Sequence, residues 1–411
     1  MSDFKPPKNN RFFEWLGRTG LPWVLWWNNY DGIHIERSDI EKLRALGNAR
    51  TIICSNHSHR HDPIFLFALA QILREQFNFI AAREIFDWWP FGMHGYCIQR
   101  VGAYSITRGT IDRASLSMSK QLIVEGKRKL VVFPECEISG SDDRLLPIEP
   151  GLGGLFLKSM EAVQEHYSGA PVYVLPIGLK YRYTQDISRT LHNSLTRVEN
   201  ELKIDNSHLP LPERFNLAVR EWVSIIAAEF RFGHADWAKT ETIADFDSII
   251  AGLVEHVADC LDATVKGKDA PQAVHALRNR LNDILKTPDF ISPYRGNVHQ
   301  QRVQYFARFE NLFNTIVRLA ALREFRVLSG VSQENLASGI DLLEREIFGK
   351  ATQKGQRIVY FKVGDAINLT DMHDEYKTDK RTAVDSLVDQ IESQLRVMLG
   401  IPDVERKAEA A

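Results

Sequence analysis

Long apolar runs, paired cysteines and an excess of one charge are all missing from this chain. No run approaches the roughly 20 apolar residues of a membrane-spanning helix, and the late first apolar cluster, interrupted by Pro22, predicts no cleavable signal peptide. The four cysteines form no Cys-x-x-Cys pair, which indicates a reducing compartment. The formal net charge is −2, so we expect no nucleic-acid partner.

The most informative stretch runs from Thr51 to Pro63, where a β-branched apolar run ends in a loop rich in histidine. The pattern predicts a buried strand over residues 49–54 and a helix that opens with Asp62 as N-cap and Pro63 at its first position. The loop then lies at the carboxyl end of a strand. In open α/β sheets this edge binds ligands.

Within that loop, His57 and Asp62 have the spacing of a general base and its partner. A carboxylate bonded to one imidazole nitrogen fixes the tautomer and leaves the other nitrogen as a proton acceptor. Two other interpretations exist. Asp62 can simply cap the helix beside solvated histidines, or His57, His59 and His61 can hold the metal of a hydrolase.

Three further segments place polar groups after predicted strands. A strand-like run over residues 101–109 ends near Arg108, whose guanidinium suits a phosphate. The strand from Lys129 stops at Pro134 and leaves Glu135 at its carboxyl edge. If the strands are neighbours, these groups and His57 converge on one crevice. In a fourth buried segment, residues 172–180, Pro176 predicts a bulge or a sheet edge.

Taken in order, these segments resemble the glycerolipid acyltransferase family, the PlsC-like 1-acylglycerol-3-phosphate and glycerol-3-phosphate acyltransferases. The four matching blocks are Asn56-His57-x4-Asp62, Gly102-Ala-Tyr-Ser-Ile-Thr-Arg108, Phe133-Pro134-Glu135 and Val174-Leu-Pro176-Ile177. The resemblance covers about residues 31–183. It implies an α/β fold, no metal and no cofactor beyond an acyl thioester on CoA or acyl carrier protein.

The resemblance also implies roles for individual residues. His57 is the base and Asp62 its orienter. Arg108, Glu135, Gly102 and Pro134 bind the acceptor, and Asn56, Phe133 and Pro176 support the site. One block departs from the family pattern, because Ile138 stands where an arginine near the acceptor phosphate is usual. The departure weakens the case for a phosphate-bearing acceptor.

The remaining sequence predicts the domain organisation. Residues 1–30 are aromatic and flanked by cations, which suits a membrane surface, although packing on the domain core is the alternative. Residues 31–185 and 356–400 form one acyltransferase domain, and residues 186–355 form an all-helical insertion. Residues 401–411 are a disordered tail. An independent C-terminal domain is the alternative to the insertion.

We therefore expect an α/β fold with a central mixed sheet flanked by helices and a large helical insertion. The expected function is transfer of a fatty acyl group from a thioester to a hydroxyl of a glycerophospholipid precursor. The expected location is cytoplasmic, on the surface of the inner membrane. A metal-dependent hydrolase and a non-catalytic lipid-binding scaffold are the alternatives.

Overall fold

The computed structural model describes residues 4–87, 93–107, 112–229, 243–265, 270–286, 308–309, 311–322 and 332–401. The chain divides into two compact units. One holds the β-sheet and is built from the residues before and after 185–355. The other consists mainly of residues 185–355.

Eight strands of the described residues form a single mixed sheet, in the spatial order β1-β7-β6-β2-β5-β3-β4, with the short β8 beside β6. The strands are β1 Tyr30–Ile35, β2 Arg50–Ser55, β3 Phe77–Ala82, β4 Ala103–Ile106, β5 Lys129–Val132, β6 Val172–Tyr183, β7 Arg357–Val363 and β8 Ile367–Asn368. Only the pairings of β6 with β7 and with β8 are antiparallel. The predicted fold class, a mixed sheet flanked by helices, is confirmed.

The described helices of the sheet unit are α1 Arg11–Trp27, α2 Arg37–Ala45, α3 Asp62–Leu73, α4 Met93–Arg100, α5 Arg113–Glu125, α6 Pro150–His166, α12 His373–Thr378 and α13 Lys380–Leu399. Those of the other unit are α7 Ser188–Leu202, α8 Leu211–Glu229, α9 Ile243–Cys260, α10 Ala270–Lys286 and α11 Gln333–Phe348. Residues 311–322 are also helical.

Helices cover both faces of the sheet because the strand residues alternate between two cores. Ile52 and Cys54 of β2 belong to one core, which also contains Phe156 of α6 and Ile391 of α13. Ile53, between Ile52 and Cys54, belongs to the opposite core, which includes apolar side chains of α3. A residue spacing of two along each strand therefore builds a two-sided core.

Pro176 lies inside the sheet, so the expected sheet edge is wrong, whereas the expected irregularity is found: Val174 pairs with Ile367 and Ile177 with Val363, a register shift of one residue. It pairs with Cys54 of β2 on one side of β6. On the other side, β8 pairs with β6 up to Val174 and β7 pairs with it from Ile177 onward. The Pro176 carbonyl accepts a hydrogen bond from the Gly364 N–H on that side. Because proline lacks an N–H, it fits the interval between the two partner strands.

Two helices include residues that disfavour helix. Helix α6 begins at Pro150, so the glycines before Leu155 lie inside it. Gly153 allows close packing there, because a Cβ at this position would lie 3.2 Å from a methyl carbon of Val388 on α13. Helix α7 was not predicted. Its residues are rich in Ser, Thr and Asn, which favour caps and turns, although its buried apolar side chains recur at helical spacing.

Buried ion pairs hold the helical unit together. The Arg214 guanidinium donates to Glu199 at 2.6 Å, and the Lys354 ammonium donates to Glu344 at 2.6 Å. All four side chains are nearly inaccessible to solvent. Such pairs tolerate burial because each charge has a partner and further hydrogen bonds.

Across the described ranges, no helix is both long enough and apolar enough to cross a bilayer.

Candidate active site

The side chains of His57 and Asp62 are joined by a hydrogen bond at the carboxyl end of β2. The distance from His57 Nδ1 to Asp62 Oδ2 is 2.9 Å. Asp62 is fully buried, whereas 17% of the His57 side chain is exposed. With its Nδ1 proton donated to the carboxylate, His57 carries a lone pair on Nε2, which makes no hydrogen bond to any described residue. The pair has the geometry of an oriented general base.

Asp62 does not cap α3, contrary to the sequence prediction. The helix begins at Asp62 itself, and its N-cap is His61, which makes no side-chain cap hydrogen bond. The Asp62 carboxylate turns toward the loop, where Oδ2 also accepts from the His59 N–H at 2.8 Å. The interpretation that Asp62 serves only as a cap is therefore wrong.

Phe133 lies against the imidazole of His57. The two ring centroids are 4.2 Å apart and their planes differ by 22°, which is a stacked arrangement. Stacking restricts rotation of the imidazole, and the hydrogen bond to Asp62 fixes its plane. Together they aim Nε2 in one direction. Phe133 thus contacts the predicted base directly, through its ring.

Glu135 organises the backbone of the loop instead of facing open solvent. Its Oε1 accepts from the His57 N–H at 2.5 Å and its Oε2 from the Leu146 N–H at 2.7 Å. Burial raises the pKa of the Glu135 carboxyl to about 7, while these two N–H groups act to lower it. Its neighbour Pro134 is buried, and the Pro134 carbonyl accepts from the Glu149 N–H at 3.0 Å.

Asn56 joins β2 to β6. Its side-chain oxygen accepts from the Leu179 N–H at 2.7 Å, and its side-chain nitrogen donates to the Leu179 carbonyl at 3.1 Å. Asn56 is fully buried. This paired contact fixes the start of the loop that carries His57, because the residue before His57 cannot move without breaking both hydrogen bonds.

The second sequence block lies farther from His57 than expected. Gly102 precedes β4, at a φ of +106° that favours glycine, and a Cβ there would lie 2.6 Å from the Phe77 carbonyl oxygen. Strands β5 and β3 separate β4 from β2, which corresponds to about 14 Å at the usual strand spacing. Of the three strands expected to be neighbours, only β2 and β5 pair. Arg108 lies outside the described residues.

The other two loop histidines face a tyrosine. The Tyr30 hydroxyl lies 3.2 Å from His61 Nδ1 and 3.4 Å from His59 Nδ1. Within the described ranges, no group of three or more His, Cys, Asp or Glu side chains is arranged to hold a metal ion.

The sequence prediction missed Tyr181 and Arg357. The Tyr181 hydroxyl donates to Asp62 Oδ1. The Arg357 guanidinium donates to the Tyr30 hydroxyl at 3.0 Å and lies over the rings of Tyr30 and Tyr181. No motif marks either residue. The only signal in the sequence was their position in apolar strands, where a buried phenol or guanidinium needs a polar partner.

Residues 34–180 match the family model described as "Acyltransferase". This segment is therefore similar to the PlsC-like acyltransferases that the sequence blocks resemble. A curated relative, the lyso-ornithine lipid O-acyltransferase of Brucella abortus (strain 2308), is 24% identical over 236 residues, which cover 56% of this chain and 80% of the relative. No solved structure matches the chain significantly.

The match indicates that the protein is an enzyme, an acyltransferase. The matched segment includes His57, Asp62 and Glu135 but ends before Tyr181. These findings favour acyl transfer over the metal-dependent hydrolase and the lipid-binding scaffold that the sequence also allowed.

Proposed function

We propose that this acyltransferase moves a fatty acyl group from a thioester, on CoA or acyl carrier protein, to a hydroxyl of a glycerophospholipid precursor. The observation that carries the proposal is the hydrogen bond of 2.9 Å from His57 Nδ1 to the buried Asp62. It leaves Nε2 of a partly exposed imidazole to accept a proton. The reaction needs such a base because a lipid hydroxyl is a weak nucleophile.

In the proposed mechanism, His57 Nε2 removes the hydroxyl proton of the acceptor while the oxygen attacks the thioester carbonyl. Asp62 stabilises the imidazolium that forms. Backbone amides stabilise the oxyanion of the tetrahedral intermediate. The intermediate then collapses, the carbon–sulfur bond breaks, and the departing thiolate takes the proton from the imidazolium. An ester and a free thiol result, and no acyl-enzyme forms.

A lyso-lipid without a phosphate near the hydroxyl is the second candidate acceptor. Ile138 stands where the family pattern usually has an arginine, and the preceding Glu137 adds a negative charge. The relative from Brucella abortus is named for action on a lyso-ornithine lipid. A neutral or zwitterionic acceptor suits a site that lacks this cation.

Product analysis separates the two acceptors. Purified enzyme is incubated with labelled acyl-CoA and either lysophosphatidic acid or lyso-ornithine lipid, and the products are identified by mass spectrometry. We expect a labelled phospholipid that does not form with His57→Ala. A labelled ornithine lipid alone would support the second candidate, and thioester hydrolysis without any lipid product would contradict both.

We also propose that helix α1 docks on the surface of the cytoplasmic membrane. Its polarity is the reverse of that of an ordinary surface helix. The buried residue is Glu14, which accepts hydrogen bonds from Arg128 at 2.7 Å and from Gln76 at 2.5 Å. The large apolar side chains are exposed instead: Phe12, Trp15, Leu16, Trp23, Trp26 and Trp27.

Tryptophan is enriched where proteins meet the headgroup layer of a bilayer. Tyr96 of α4, half exposed, extends the same surface and contacts Phe13, and Arg100 lies over the Tyr96 ring. Arginine beside aromatic rings adds attraction to anionic headgroups. Water leaves this surface when it contacts lipid, so burial of the rings drives binding.

Vesicle sedimentation of the full chain tests the docking. The double variant Trp23→Ser/Trp27→Ser removes a stacked ring pair. We expect binding to vesicles that contain anionic lipid to weaken by about tenfold or more. The control is Val397→Ser, which alters an exposed apolar side chain of α13. Equal binding of both variants would contradict docking through α1.

Finally, we propose that residues 186–355 are an insertion in the acyltransferase domain, which is formed by residues 31–185 and 356–400. Support comes from β7, which pairs with β6 in the sheet that contains β2. The Thr184 N–H donates to the Gln356 carbonyl at 3.0 Å, so the chain leaves and re-enters the sheet at adjacent points.

A further inference from the structure

The Asp62 carboxylate has a hydrogen-bond partner besides the histidine loop. Oδ2 accepts from His57 Nδ1 and from the His59 N–H, whereas Oδ1 accepts from the Tyr181 hydroxyl. Each oxygen therefore has a defined donor. Rotation of the carboxylate toward any other orientation breaks the hydrogen bond to Tyr181 as well as those of the loop.

Tyr181 is itself rigidly placed. It lies in β6, where its N–H donates to Asp142 Oδ2 at 2.5 Å. Its ring meets Phe65 edge to face, with centroids 5.7 Å apart. Burial, and then the nearby Asp62, raise the pKa of Tyr181 well above its ordinary value. The phenol stays neutral and can act as a donor throughout the physiological range.

A second layer surrounds the phenol. Arg357 of β7 lies over the Tyr181 ring, 5.4 Å from its centroid, and donates to the Tyr30 hydroxyl. Since that hydroxyl oxygen accepts from Arg357, its own proton can be donated to the Nδ1 atom of His61 or His59. The network thus extends from a strand that follows the helical unit to the loop that carries His57.

We infer that Tyr181 is a positioning residue, whose hydroxyl holds the Asp62 carboxylate in the orientation that faces His57. The inference rests on the proposed role of His57 as base. Tyr181 does not touch the reacting atoms in this role. It fixes the group that orients the base, and it lies outside the segment that matches the family.

The variant Tyr181→Phe removes the hydroxyl and keeps the ring. We expect kcat to fall by about tenfold to a hundredfold, in line with the loss of a hydrogen bond to a charged group, while the KM for the acyl donor stays within about twofold. Without the Tyr181 hydroxyl, the buried Asp62 carboxylate attracts the proton between it and His57 Nδ1 more strongly. The titration midpoint of the His57 ring, followed by NMR, should therefore move upward.

Tyr104→Phe is the matched control. The Tyr104 hydroxyl is also buried in the sheet and makes one hydrogen bond, 2.7 Å long, to Ser119. Both variants should stay folded, and Tyr181→Phe should lose somewhat more thermal stability because its hydroxyl binds a charged group. Only Tyr181→Phe should change kcat and the His57 titration. Both variants keep the other titratable and charged groups around His57 and Asp62, which include Glu135, His59, Tyr30 and Arg357.

An unchanged kcat and an unchanged His57 titration in Tyr181→Phe would overturn the inference. The titration uses resting enzyme and needs no substrate. If the wild type transfers no acyl group, the proposed function fails, yet a shifted titration in Tyr181→Phe alone would still support the positioning of Asp62. Equal changes of kcat and of the His57 titration in Tyr104→Phe would overturn the inference too, because any lost buried hydroxyl would then have the same effect.

Discussion

Asp62→Asn separates the charge of Asp62 from its shape. In the wild type, Oδ2 accepts two N–H donors and Oδ1 accepts the Tyr181 hydroxyl. An asparagine can place its amide oxygen at Oδ2 and its amide nitrogen toward the Tyr181 oxygen. The contacts survive in large part, so we expect a loss of about 1 to 2 kcal/mol in the free energy of unfolding.

The catalytic loss should be much larger. Imidazolium and carboxylate charges roughly 3 to 4 Å apart attract each other by about 4 to 6 kcal/mol at an effective dielectric constant of about 20. The imidazolium of His57 is only partly formed in the transition state. We therefore expect kcat to fall by about 10²-fold to 10⁴-fold.

A double-mutant cycle assigns that loss to His57. Initial rates are measured with labelled acyl-CoA for the wild type, His57→Ala, Asp62→Asn and the double variant. His57→Ala alone should lose about 10²-fold or more, as expected for a missing general base. If Asp62 acts through His57, Asp62→Asn should change the rate of His57→Ala by less than about threefold.

Asp39→Asn is the control, since Asp39 is a buried carboxylate of α2 outside the site. It should keep kcat within about twofold. Two results would refute the reasoning: a kcat of Asp62→Asn within about tenfold of the wild type, or an equal loss in the presence and absence of His57.

Four further predictions follow from the site and the fold. Activity should survive EDTA and phenanthroline, and a loss that added zinc restores would favour the hydrolase. Arg108→Ala should raise the KM of the acceptor by about 30-fold, and that of the donor much less, if it binds a phosphate; an unchanged acceptor KM would contradict that role. Burial raises the pKa of Glu135 from 4.5 to about 7. The corresponding contribution to the free energy of unfolding, roughly 3 kcal/mol, should be complete below pH 4.5 and lost as the pH rises through 7. Urea unfolding should therefore give a lower free energy of unfolding at pH 8 than at pH 5 in the wild type, and no such difference in Glu135→Gln. Replacing residues 186–355 by a short linker should leave a folded sheet unit, whereas truncation after Tyr183 should not, as solubility and circular dichroism can measure.

The strands and the hydrogen bond between His57 and Asp62 could be predicted because local patterns decide them. The run before Ser55 is apolar and β-branched, so it forms β2 inside the sheet. The spacing of His57 and Asp62 then determines their hydrogen bond across one loop. Both features depend on residues close together in the chain.

The hydrogen-bond partners of Glu135 could not be predicted from local patterns. Its position after β5 was predicted, but its two backbone partners, His57 and Leu146, depend on how two loops fold over each other. A carboxylate at a strand end looks the same in the sequence whether it binds a ligand or two N–H groups. Only the neighbouring loop distinguishes these cases, and its path depends on contacts distant in sequence.

The network around Tyr181 depends on strand register, which no local pattern encodes. Arg357 pairs with Tyr30 on one side, through the parallel β1, and with Tyr183 on the other, through the antiparallel β6. A slip of β7 by one residue would turn Arg357 to the opposite face of the sheet, away from the phenols. The length of the helical unit, by contrast, can vary at little energetic cost, because the entropy of loop closure depends only weakly on loop length. What it must preserve is the residue at which the chain re-enters the sheet, because that residue sets which side chain reaches the hydrogen-bond network of Asp62.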